Sequence, residues 1–199
     1  MHSILIATLL TGIAAATPVL TPRGEGTTFA LITSVTDAPD AVKELNGRIW
    51  AISSNADGHA VLVDRTEQSI FYQYAASTDS AVATGNTGIV ITPGGTATVP
   101  SLNTINLVPE ISTHGVEISN NEQGIPTLQY QGGGFMACRA SFLDPEAQNP
   151  DDFVLSYRKD GQRRFADCAE VVLISNCRGG GDVGGSPLGE PVTVGCQPH

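Results

Sequence analysis

All four cysteines of the chain, Cys138, Cys168, Cys177 and Cys196, lie in the last third of its 199 residues. An even set of cysteines in an exported chain implies disulfides. Four cysteines allow three connectivities, and the sequence alone does not choose among them. Cys138–Cys168 with Cys177–Cys196 is the preferred pairing, since each bridge then closes one loop. Metal ligation is the other use of such residues, but no pair has C-x-x-C spacing and none has a histidine partner nearby. The stretch from Phe135 to Cys177 therefore organises the rest. It opens at Gly132-Gly133-Gly134, continues through Phe135-Met136-Ala137-Cys138, and contains a strand-like run, Phe153 to Tyr157. Asp160-Gly161 then turns the chain towards a second run, Cys168 to Ile174. Asp-Gly between two such runs signals a hairpin, because both residues tolerate positive φ. The expectation is a C-terminal hairpin stapled at its outer ends by Cys138 and Cys168.

Export is read from the other end. Residues 3–13 form a short apolar run, followed by Ala14-Ala15-Ala16. This is the pattern of a signal peptide, with cleavage expected after Ala16. The run is too short to span a bilayer, which takes about 20 apolar residues, and no second stretch approaches that length. The C-terminal residues are polar and carry no lipid-anchor signal. Residues 17–26 carry little pattern and read as a flexible lead. Residues 27–199 are then expected to form a single domain, secreted to the extracellular space or cell wall.

Only 15% of residues are charged, and there are 22 Gly and 12 Pro. Low charge with frequent turn residues suits an all-β chain. Strand-like runs recur at Phe29–Val35, Arg48–Ser53, His59–Asp64, Ser69–Tyr74 and Gly88–Thr92. Others follow at Thr96–Val99 (a short edge strand), Asn106–Val108, Gly115–Ile118, Thr127–Gln131 and Pro191–Val194. Runs of five or six residues spaced roughly ten apart, with turns between, predict an antiparallel sandwich or irregular barrel. Val42–Leu45 reads as a short helical turn, and Gly179–Gly189 as a flexible stretch.

The net charge of −10 repels a phosphate backbone, so nucleic acid is not an expected partner. No G-x-S-x-G elbow occurs, and the histidines of the mature chain are His59, His114 and His199. The glycine runs 132–134 and 179–181 lack the Gly-Lys-Ser/Thr of a phosphate loop. Glycoside hydrolysis needs two carboxylates across a cleft. Glu117, Glu170 and Asp64 are the first candidates, on or beside strand-like runs. Trp50 and Tyr72 are the residues a sugar-stacking groove would use. Arg158, Lys159, Arg163 and Arg164 form a basic cluster on an acidic chain. On a hairpin tip they are the candidate contact for a polyanion or partner, unless they pair with the acidic loop at 144–152. No catalytic residue, cofactor or metal is expected.

Phe135-Met136-Ala137-Cys138, a Tyr-containing strand and Cys168-Ala169-Glu170-Val171-Val172-Leu173 together resemble a known pattern. It is that of small secreted fungal cell-wall proteins of the phialide-development type and their uncharacterised relatives. Met136 stands where that pattern has an aromatic residue, and the tail with Cys177 and Cys196 is extra. The resemblance implies a non-enzymatic protein, wall-associated or host-facing, that binds cell-wall polysaccharide or a protein partner. It supplies no catalytic residues. The alternative expectation is a lectin-like carbohydrate-binding module or a glycoside-active enzyme.

Overall fold

The computed structural model describes residues 24–35, 38–75, 80–179 and 188–198. The expected signal peptide, residues 17–23 of the lead and most of the 179–189 stretch lie outside the described residues. The strands in chain order are β1 (Gly24–Gly26), β2 (Phe29–Ser34), β3 (Ala51–Ser54), β4 (Ala60–Val63) and β5 (Tyr72–Ala75). Next come β6 (Ser80–Thr84), β7 (Thr87–Val90), β8 (Asn106–Pro109), β9 (Glu117–Asn120) and β10 (Pro126–Gln129). The last are β11 (Gly134–Arg139), β12 (Phe153–Arg158), β13 (Ala169–Cys177), β14 (Pro191–Val192) and β15 (Val194–Cys196). A 3-10 helix at Asp40–Leu45 buries Val42 and Leu45, and one α-helical turn, α1 (Ala140–Leu143), follows β11.

The all-β expectation holds, and of the two architectures the chain takes the barrel. Strands β11, β12, β4, β3, β2 and β13 pair in that order, and β13 pairs back to β11 to close a six-stranded antiparallel barrel. Closure leaves these strands no free edge. The interior of a barrel this small is filled by side chains. Alternation along each strand decides which ones. Phe29 and Leu31 of β2, Ile52 of β3, Leu62 of β4, Phe135 of β11, Leu155 of β12 and Val171 and Leu173 of β13 all belong to the main buried cluster. The opposite parity of β4, β11 and β12 supplies Val61, Met136, Cys138 and Val154 to a second, smaller cluster, capped by Ala140 and Leu143 of α1.

A five-stranded sheet, in the order β14, β5, β6, β7, β8, joins the barrel. Phe29 and Phe71 make the joint. Their backbones exchange two hydrogen bonds of 2.9 and 2.7 Å, and their rings stack at 6.4 Å. Val82, Ile89 and Leu107 face the main cluster, while Tyr72, Tyr74, Ala81 and Ala83 line the other face.

Both disulfides form as preferred. Cys138–Cys168 has a Cα separation of 4.5 Å and Cys177–Cys196 one of 5.0 Å. The hairpin between them needs correction. Asp160-Gly161 does turn the chain, with Gly161 at φ +80°. The runs it joins do not pair with each other, because β11 lies between them. Phe135 is opposite Tyr157 on one side and Val171 on the other. The first disulfide thus ties β11 to the entry of its neighbour β13. The flexible lead also needs correction at its end: Gly24–Gly26 forms β1, paired with β15, where the Cys177–Cys196 bridge holds the partner strand. Thr96–Val99 forms a turn closed by Thr96 N–H to Val99 C=O at 2.8 Å, and not the edge strand expected there.

Candidate binding surface

The basic cluster divides into one anchored residue and a presented loop. Arg158 ends β12 and is half-buried. One guanidinium nitrogen, Nη2, pairs with Glu170 of β13, and the other, Nη1, donates to the Gln162 carbonyl at 3.3 Å. Gly134 makes room for it: a Cβ there would sit 3.0 Å from Arg158 Nη2. Lys159, Arg163 and Arg164 are exposed on the loop that follows.

Gln162 holds that loop in place. It is only 5% exposed. Its side-chain oxygen accepts the Lys159 N–H at 2.7 Å, and its amide nitrogen donates to the carbonyls of Gly94, Thr96 and Val99. Arg163 N–H adds a bond to Thr98 C=O at 2.9 Å. A buried amide with this many partners fixes two loops against each other, since leaving its dipole unmatched would be costly. The result is a rigid platform that points cationic side chains outward.

Beside the platform lies a groove of about 370 Å³, floored by Gly132–Gly134 and walled by Tyr130, Arg158, Asp160 and Glu170. Its floor depends on glycine. A Cβ on Gly133 would lie 2.1 Å from the Tyr157 hydroxyl oxygen. That hydroxyl donates to Tyr130 C=O at 2.9 Å. Burial, with Tyr130 alongside, pushes the Tyr157 phenol above its usual value of 10.0, so it stays protonated and keeps donating.

In the acidic loop at 144–152, Asp151 pairs with Arg139, and Asp152 accepts from Asn55 at 3.1 Å. The three carboxylates first considered for hydrolysis are also apart. Asp64 pairs with the exposed Arg48 at 3.0 Å, Glu117 accepts from Ser80 at 3.3 Å, and Glu170 holds Arg158. Of the three, Glu170 lines the groove beside the platform. Tyr72 is fully buried and donates to Gly85 C=O at 2.8 Å. Trp50 packs edge-on against Phe153, with the Arg48 guanidinium 4.4 Å from its ring centroid. Tyr72 therefore offers no open face for stacking, and Arg48 covers one face of the half-buried Trp50. His59 is half-buried, His114 is exposed, and His199 lies outside the described residues.

A family model described as "Domain of unknown function (DUF7907)" matches residues 26–177. The chain belongs to the DUF7907 family. The match runs from the last residue of β1 to the last of β13, so it holds every strand of the barrel and the whole Cys138–Cys168 bridge. Cys196, the partner of Cys177, falls outside it. No curated protein and no solved structure matches the chain. Within the family segment the sequence identified the basic cluster, but not its anchor. Gln162 is a single polar residue in a turn, and nothing local says that it is buried.

Proposed function

We propose that this DUF7907 protein is a secreted, non-enzymatic binding protein, wall-associated or host-facing, akin to the small fungal wall proteins of the phialide-development type. Its contact surface is the 158–164 platform, and its ligand an acidic polysaccharide or an acidic partner. The observation that carries this reading is the Gln162 anchor. Four of the chain's ten basic residues fall within seven positions, and the loop that bears three of them is fixed rather than left to fluctuate. A fixed cluster loses less conformational freedom on binding a polyanion than a mobile one. The two disulfides support the extracellular setting.

The test is retention of the mature protein on polygalacturonate, chitin, β-glucan and cellulose at low and high salt. Binding to the acidic polymer that weakens with salt and is lost in Lys159→Glu/Arg163→Glu supports the reading. Polygalacturonate binding that is absent, or indifferent to both salt and that substitution, removes it.

A further inference from the structure

A second groove lies beside the five-stranded sheet, at the end of β5. It encloses about 440 Å³, within the roughly 300–1,000 Å³ usual for small-ligand sites. Its wall is the segment Glu110-Ile111-Ser112-Thr113-His114, which runs on from β8. Thr113 turns inward and is locked to β7 and the residue beyond it. Its N–H donates to Ile89 C=O at 2.8 Å, and its hydroxyl accepts Ile91 N–H at 2.8 Å. Glu110, Ile111, Ser112 and His114 of the same segment line the groove with Tyr74.

Two further features hold this wall in place. Gly88 on β7 lets the segment approach closely: a Cβ there would lie 2.3 Å from Ile111 C=O and 2.4 Å from Ser112 Cβ. Glu110 sits at φ +60°, one of two described non-glycine residues with positive φ. Such a backbone is strained and persists only where the surroundings impose it. Ser112 is thereby brought against the buried Tyr74, and the two hydroxyls share one hydrogen bond.

The chemistry of the wall selects its ligand. Among the described residues no Lys or Arg lines the groove, so they offer an anion no counter-charge. Among the described residues Glu110 is its one carboxylate, too little for Ca²⁺ or Mg²⁺, which take six or more oxygen ligands, and no cluster of three His, Cys, Asp or Glu that could hold another metal occurs among them. A carboxylate accepts, an imidazole donates and accepts, and two hydroxyls that share one bond retain a further donor and free lone pairs. Ala75 and Leu188 add an apolar strip for C–H groups. We propose that this groove binds a neutral, hydroxyl-rich ligand, a sugar unit of an uncharged polysaccharide, through Glu110, Ser112–Tyr74 and His114. The inference does not rest on the cationic platform and survives its failure.

The test is a ¹⁵N-resolved NMR titration of the full mature chain with cellohexaose, laminarihexaose and chitohexaose, each up to about 10 mM. The expected result is that at least one hexasaccharide shifts the amides of residues 110–114 and Ala75. Glu110→Gln/His114→Ala should then weaken binding by about tenfold or more, and Lys159→Glu/Arg163→Glu should leave it unchanged. Both Glu110 and His114 are exposed, and an unaltered thermal melt verifies that the first pair still folds. Absence of shifts at 110–114 with all three sugars overturns the proposal, as does undiminished binding in the folded Glu110→Gln/His114→Ala protein.

Discussion

The barrel and the five-stranded sheet solve the same problem differently. The barrel closes on itself through β11 and β13, and both disulfides engage β13, at its entry and at its end. Its inward positions carry large side chains such as Phe29, Leu31, Leu155 and Leu173, each 2% exposed or less. The sheet ends at β14 and β8 and carries no cysteine. Opposite the two buried tyrosines on β5, the face they share carries only Ala83 and Ala81 on β6. Cross-linking and apolar bulk are concentrated in one region, and the neutral groove lies on the other. The lesson is a division of labour: the barrel holds the fold, and the sheet and rim loops are free to carry contacts.

The joint between the regions is the sharpest place to break that comparison. Phe29→Ala removes a fully buried ring and is expected to cost about 3–5 kcal/mol. Amide exchange should then rise in β5–β8 as well as in the barrel. A rise confined to the barrel would mean that the sheet is stable by itself. Next in size is the barrel staple. With a sequence separation of 30, loop closure gives the Cys138–Cys168 bridge about 3.5 kcal/mol. Cys138→Ala/Cys168→Ala should lower the denaturant midpoint accordingly, and an unchanged midpoint would show that pairing around the barrel suffices without it. In the sheet, Gly88→Ala should cost about 1–3 kcal/mol through overpacking and displace the 110–114 segment. Chemical shifts of Ser112 and Thr113 report this directly. The smallest effect is expected at the rim. Glu170→Gln removes the partner of Arg158, but Glu170 is 54% exposed, so the loss should stay below about 1 kcal/mol. A larger loss in thermal melts would mean that the pair supports the barrel.

Much of the fold was legible and its closure was not. Alternation located β2, β4, β12 and β13 because each has one face in the core. It missed β1, which is Gly24-Glu25-Gly26, because glycine carries no pattern and the strand is held by its partner. It also missed β6, Ser80–Thr84, whose small residues look like a loop. Asp160-Gly161 fixed a local reversal, but a turn does not say which strand will fill the space beside it, and β11 filled it. At the site, the charges of Arg158, Lys159, Arg163 and Arg164 were visible, whereas the pairing of Asp151 with Arg139, far from it in sequence, was not. Glu110, Ser112 and His114 do alternate in the sequence. What marks them is Thr113 turned onto Ile89 and Ile91, and that appears only once the strands are placed.

The β1–β15 pairing has a mechanical consequence. Gly24 is opposite Cys196, and both lie beside the Cys177 sulfur. Gly24, where the described residues begin, and Cys196, near their end, therefore lie side by side, at a single pole. A unit entered and left at one point hangs from its attachment like a pendant and adds almost no length between what it joins. Load applied through its two ends would peel three residue pairs apart and then act across β2 and β13, where Phe29 is opposite Cys177 and the Cys177–Cys196 bond is anchored. Labels fused to the two ends should accordingly report close proximity in the native state and continue to do so until the barrel itself has melted.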